Sequence, residues 1–381
     1  MAGVSVVLIL KWVPLPFAWI AWLLGAAIFI AIPRLAIWMR TPLSTLGAIA
    51  ISLGAAEVWF AYSLPPEVDR QLSPPMNQVD SILGWAPRPS QSVRAKATAG
   101  GRTLYDVRYS IDTSGHRITA VDHNASAAGC IFVFADSFAF GEGVEDSESL
   151  PYQLGALMQG RYRIINFAAP GYGAEHMLAS LERGELSRAS PCEPTHVIYL
   201  ALPHHIHRAA GKTTFSSGGP RYQLRAGGSL VYLGTPAAIA ASGPAQRSWW
   251  LGELDYQFRK ASIRRAFAGR PPTTTDGDID LYFAVVREAY RIVGERWPAA
   301  QRHVISWNIH DYFALGQARF YRGLATVDAN VHSIESMVPG YALNLAKHSL
   351  DPLELHPSGQ TYRRVAQHLA AHLFGTTHAR Q

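Results

Sequence analysis

A chain of 381 residues with 34 lysines and arginines against 28 acidic residues carries a formal charge of only +6, spread thinly. With no basic cluster interleaved with exposed aromatics, this balance speaks against a nucleic-acid partner. Hydrophobic residues make up 48% and mean hydropathy is +0.03, high for a purely soluble protein, and the excess lies at one end.

From Met1 to Leu64 the only charges are Lys11, Arg34, Arg40 and Glu57. Two apolar runs, from about Val13 to Ile32 and from about Thr41 to Tyr62, are each long enough for a helix of ~20 residues that spans a bilayer. Two such runs without a small-residue cleavage pattern argue against a removed signal peptide. Residues 1–64 are therefore expected to form a membrane anchor of two transmembrane helices in contact with lipid. Arg34 and Arg40 assign the loop between them to the cytoplasmic side; Lys11, beyond the first run, pulls the other way. Everything after Leu64 is then expected to be extracytoplasmic, a periplasmic domain on an inner (cell) membrane anchor.

Residues 65–89 are rich in Pro, Ser and Gln and read as a linker; residues 90–381 read as one domain. Alternating residues around Gly100-Gly101, in SVRAKAT and TLYDVRYSID, predict a β-hairpin that closes at Thr113-Ser114-Gly115. Ile131 to Phe134, four large apolar residues, predict a strand buried on both faces. It runs into Ala135-Asp136-Ser137, the glycines Gly141 and Gly143, and a helix over 147–158. RYRIINFA, ending in Pro170-Gly171-Tyr172-Gly173, is a second strand, followed by a helix over 174–186. HVIYLAL is a third, ending in Pro203-His204-His205-Ile206-His207-Arg208. GGPRYQLRAGGSLVYLG, between Gly211 and Gly234, predicts an inserted hairpin. Helices follow over 246–269, whose basic run Arg259–Arg265 reads as a solvated face, and over 280–297. HVISWNI, from His303 to Ile309, is a fourth strand, and Gly359 to Phe374 a closing helix. Strands alternating with helices call for an α/β domain with a parallel sheet covered on both faces. Cys130 and Cys192 each precede a strand. If those strands are parallel neighbours, a disulfide is geometrically open to them; two separate thiols are the alternative.

A serine hydroxyl is a weak nucleophile at neutral pH and needs a base within reach and a group that holds the base. Ser137 at one strand end and His356 before the last helix would meet at the carboxyl rim where an open α/β sheet gathers its site. Backbone N–H groups at Ser137 and Gly171 are candidate donors to a developing oxyanion. Asp136 is expected to support the turn by bonding nearby backbone. The segments FADSFAFGEGVEDSESLP, IINFAAPGYG and DPLELHPSG, in this order and at strand ends, resemble those of the SGNH or GDSL hydrolases, esterases and acyl-transfer enzymes. The resemblance covers roughly Ser81 to Phe374. It implies a flavodoxin-like three-layer α/β/α domain, with Ser137 as nucleophile, Gly171 in the oxyanion hole and His356 as base.

Three positions depart from the family pattern. Ala135 replaces a glycine, a change without consequence unless the turn needs positive φ. An asparagine that donates to the oxyanion is missing, and His204 or His205 stands there; a neutral imidazole still offers one N–H. The acid that orients the base is expected at Glu354, two residues before His356 and on the same side of an extended segment, with Asp351 in reserve. The His-His-x-His run lacks a local carboxylate or cysteine, so no metal is expected, and no organic cofactor. The resulting expectation is a serine-dependent esterase or acyl-transfer enzyme on an ester substrate, with O-acetyl groups of cell-surface glycan as the substrate guess. The alternatives are a catalytically silent binding or scaffold module in envelope polysaccharide assembly, and an O-acetyltransferase working with a membrane acyl-donor protein.

Overall fold

The computed structural model describes residues 16–120, 128–183, 192–213, 218–235, 273–307 and 317–374. The helix expected over 246–269, the ends of two other expected elements (184–186 and 308–309) and part of the inserted hairpin's approach (214–217) lie outside them. The chain divides into two compact units, Met1–Glu67 with Pro244–Pro271, and Val68–Gly243 with Pro272–Gln381.

In the first unit, helices α1 (Pro16–Ala31) and α2 (Ile37–Ser63) pack together across a short 3₁₀ turn, Ile32–Arg34. Their contact runs through small residues, as in membrane helix pairs. A Cβ on Gly54 would lie 2.3 Å from Trp22 Nε1, and one on Gly25 would lie 2.7 Å from Ile51 Cγ1. The 27 residues of α2 are long and apolar enough to cross a membrane. The 16 described residues of α1 are not; at ~1.5 Å per residue they span less than the ~30 Å of hydrocarbon. Among the described residues α2 alone has spanning length; the start of the first expected span, residues 13–15, lies outside them.

The second unit is built on a five-stranded sheet, all parallel: β6 (Cys130–Phe134), β7 (Arg163–Asn166), β8 (Pro194–Ala201), β11 (Gln301–Ser306) and β12 (Asn330–Ser333). Their spatial order is β12-β11-β8-β6-β7. Counted along the chain this is the 2-1-3-4-5 order of flavodoxin-like sheets, whose direction of winding reverses between β6 and β8. Side chains alternate between the two faces. Ile131, Val133, Ile198, Leu200 and Ile305 enter one core with Leu150, Leu154, Tyr362 and Val365. Phe132, Phe134, Val197, Tyr199 and Val304 enter the other with Met177, Leu178, Val285 and Val286. The covering helices are α4 (Leu150–Met158) and the closing helix Gly359–Phe374 on the first face, and α5 (Ala174–Glu182) and α7 (Asp276–Arg296) on the second. Two short helices, α3 (Ser137–Phe140) and α6 (His205–Ala209), follow β6 and β8 directly. The parallel, three-layer α/β expectation holds. Cys130 and Cys192, at the amino ends of the neighbouring strands β6 and β8, are joined in a disulfide with Cα atoms 5.9 Å apart.

Both expected hairpins are present. Strands β4 (Gln91–Ala99) and β5 (Arg102–Ile111) meet at Gly100-Gly101, both at positive φ, and β9 (Arg221–Leu224) pairs with β10 (Leu230–Gly234). Residues 65–89, read as a linker, are not one. They carry β1 (Val68–Ser73), which pairs with β4, and the ribbon β2 (Asn77–Asp80) with β3 (Gly84–Pro87). The composition hid them because β1 is an edge strand with five of its six residues exposed, so no apolar alternation marks it.

Candidate active site

The turn after β6 delivers Ser137 to the carboxyl rim of the sheet. Asp136 caps α3, its Oδ1 accepting the Phe138 N–H at 2.9 Å, as a helix N-cap does. Ala135 is not among the residues at positive φ, so the departure from glycine carries no strain. The helix ends at Gly141 with φ +85, where a Cβ would lie 2.6 Å from Ser149 Cβ. Arg117, 1% exposed, holds the loop beyond. Its guanidinium donates to the carbonyls of Phe140 at 2.9 Å, Gly141 at 2.5 Å and Val144 at 2.7 Å, and to Asp146 Oδ1 at 2.8 Å. It also lies over the rings of Tyr109 and Phe140.

A second turn brings the base. Strands β13 (Ser349–Asp351) and β14 (Glu354–Pro357) form a small antiparallel ribbon ahead of the closing helix. His356 Nε2 lies 2.8 Å from Ser137 Oγ, and His356 Nδ1 is bonded to Glu354 Oε1. An ionised carboxylate only accepts, so Nδ1 carries the hydrogen and Nε2 is left to take one from the serine. Asp351 takes no part. It accepts from Arg102 at 2.6 and 3.0 Å and from the Leu353 N–H at 3.0 Å, capping the turn between the strands.

Two charged residues complete this chain, and neither was singled out from sequence. Arg70 of β1 donates from Nη2 to Glu354 Oε2 at 2.6 Å, and its Nε lies 3.1 Å from Glu142 Oε1. Glu142 Oε2 in turn is 3.8 Å from His356 Nε2. Burial works against the His356 cation, but the carboxylates of Glu142 and Glu354 outweigh it and raise its pKa above the ordinary histidine value. Burial likewise works against the Glu354 anion, and His356 and Arg70 outweigh it, lowering its pKa. Glu142 was in plain view inside FGEGV. Arg70 gave no signal, because it sits in the stretch read as a linker.

On the other side of the turn, Asp136 Oδ2 meets His204 Nε2 at 2.8 Å, Arg208 Nη1 at 2.8 Å and His205 Nε2 at 3.2 Å. Burial alone would raise the Asp136 pKa; Arg208 and the two histidines hold it well below the usual carboxylate range. Burial, and then Arg208, lower His204 to about 3. A neutral His204 places its one N–H on Asp136 and keeps only a lone pair at Nδ1, so it has no hydrogen left for an oxyanion. His205 is fully buried, with Nδ1 2.7 Å from the Tyr199 hydroxyl. The expected third donor is thus turned to Asp136 in one histidine and into the core in the other. Among the described residues, nothing accepts the N–H of Ser137 or of Gly171, and Gly171 takes φ +88.

Arg208 also donates to the Tyr172 carbonyl, tying the Gly171 loop to the Ser137 turn. Trp85 of β3 braces the same loop: its Nε1 donates to the Pro170 carbonyl at 3.2 Å, and its own carbonyl accepts from Tyr172 Oη at 2.7 Å. Asp136, His204 and His205 do place one ligand atom each within 4.8 Å of one another. The Arg208 guanidinium, however, already stands on the shared Asp136 oxygen where a metal cation would have to sit.

No family model and no curated protein matches the chain. Among solved structures it overlaps loosely with a GDSL-like lipase from Parabacteroides merdae at 11% identity and a TM-score of 0.38, covering 65% of this chain and 96% of that one. A psychrotrophic esterase from Pseudoalteromonas gives 11% identity and a TM-score of 0.33, over 65% and 97%. An acetyl xylan esterase from the rumen bacterium Butyrivibrio proteoclasticus gives 10% identity and a TM-score of 0.36, over 74% of each. Likenesses this distant say nothing about chemistry.

Proposed function

We propose that the domain transfers acyl groups from esters by a serine nucleophile, to water or to a hydroxyl. The observation that carries this reading is the unbroken hydrogen-bond chain Ser137–His356–Glu354 at the rim of the sheet. Ser137 Oγ attacks the ester carbonyl as its proton passes to His356 Nε2. The oxyanion forms beside the N–H groups of Ser137 and Gly171, which no described residue accepts, each such donor being worth about 3 kcal/mol. Collapse breaks the carbon–oxygen bond to the alcohol, which leaves with the proton from Nε2. A second hydroxyl then repeats the steps in reverse and releases the serine. Glu354, held by Arg70, fixes the histidine and offsets its transient charge. No step here calls for a cofactor.

The substrate we favour is an O-acylated glycan outside the cytoplasm. The disulfide between Cys130 and Cys192 suits an oxidising compartment, and α2 suits attachment to a membrane facing it. A membrane acyl-donor partner would turn the same site into an O-acetyltransferase.

Hydrolysis of p-nitrophenyl acetate tests the reading. The wild-type chain should turn over, with the acid limb of kcat/KM set by a pKa above ~6.5, because the base must be neutral and its cation is stabilised. His356→Gln should remove the activity. A folded wild type that releases no nitrophenol, or a His356→Gln chain that matches it, overturns the proposal.

A further inference from the structure

We propose that Glu142 and His356 together form a subsite for a vicinal diol, so that the alcohol exchanged at Ser137 is a polyol such as a sugar. This rests on the acyl-transfer reading above and names the side chains that would hold the sugar's hydroxyls. Glu142 sits between Gly141 and Gly143, both at φ +85, and its N–H donates to the Ser137 carbonyl at 3.0 Å. Arg117 holds the carbonyls on either side of this loop, and Arg70 Nε stands 3.1 Å from Glu142 Oε1. The carboxylate is thereby fixed from behind. Its Oε2 remains, 3.8 Å from His356 Nε2, with both side chains partly open to solvent, and no described residue donates a hydrogen bond to it.

During deacylation the attacking hydroxyl must place its hydrogen on His356 Nε2. Its oxygen bonds to the acyl carbon, the carbon–Oγ bond breaks, and Ser137 takes the proton back. A hydroxyl on the adjacent carbon, gauche to the first, then reaches Glu142 Oε2, since two acceptors 3.8 Å apart suit the two hydrogens of such a pair. A simple alkanol would cover Oε2 and leave it unpaired, which is costly for a desolvated carboxylate. An ammonium alcohol is the competing class, because the one Arg70 charge is shared between the Glu142 and Glu354 carboxylates.

The test uses the full chain in detergent, acylated by p-nitrophenyl acetate and offered 1,2-propanediol and 1-propanol at equal concentration. Because both acceptors draw on one acyl-enzyme pool, the ratio of acetate esters is independent of acylation rate. The wild type should favour the diol about tenfold or more, the worth of one hydrogen bond to a charged group. Glu142→Met, which keeps the length and removes the oxygen acceptor, should bring the ratio to within about twofold of unity, the statistical factor of two hydroxyls. A wild-type ratio near unity, a preference that survives Glu142→Met, or a stronger preference for ethanolamine overturns the diol subsite. An absence of any nitrophenol release is a different failure, that of the serine reading itself.

Discussion

Glu354→Gln is expected to lower kcat/KM for ester hydrolysis by ~10³–10⁴, the scale seen when a triad carboxylate becomes an amide. The carboxylate is 1% exposed and bonded at one oxygen to His356 Nδ1 and at the other to Arg70 at 2.6 Å. A glutamine can turn its amide donor toward Nδ1, which moves the ring hydrogen to Nε2. Ser137 would then face a donor where it needs an acceptor. Asp351→Asn separates this role from a general loss of nearby negative charge. Its partner is Arg102, so hydrolysis should stay close to wild type. Steady-state kinetics on both variants decides the matter: a small loss in Glu354→Gln, or a large one in Asp351→Asn, would place the acid elsewhere.

The largest expected effect on stability lies at Arg117. Arg117→Met keeps much of the side chain's length but removes the donor to three loop carbonyls and the cation beside Asp146, whose carboxylate keeps only the Ser110 N–H. Breaking a buried ion pair from one side costs about 3–5 kcal/mol, and the melting temperature should fall by ~10 °C. Arg94→Met is the control, since the Arg94–Asp106 pair lies on the surface with the arginine side chain 63% exposed, and should leave the melt near wild type. Thermal melts by near-ultraviolet circular dichroism read both. An unchanged melt for Arg117→Met would mean that the 140–146 loop is held by other contacts.

Four of the five central strands were legible because they are buried, and IFVF, RIIN, HVIYLA and HVIS write that burial as short apolar runs between turns; β12, NVHS, lies largely exposed at the sheet edge and carries no such run. Ser137, Glu354 and His356 were legible because a turn at a strand end and a two-residue spacing in an extended segment are local patterns. What lay hidden was contributed from a distance. Arg70 reaches Glu354 across 284 positions from an edge strand whose exposed residues look like linker. Trp85 braces the Gly171 loop from the same stretch. The histidines after β8 were seen as donors, and only the fold reveals that Arg208, four residues past His204, draws Asp136 into one buried cluster with them. The first apolar run near the amino end was legible by composition, and its described helix ends at Ala31, ahead of the Ile32–Arg34 turn into α2.

The most direct measurement is covalent capture of the nucleophile with a fluorophosphonate, followed by peptide mapping of the labelled chain. A single adduct on Ser137, absent from Ser137→Ala and slowed in His356→Gln, is the expected result. Label on another residue, or equal label on wild type and Ser137→Ala, would contradict it.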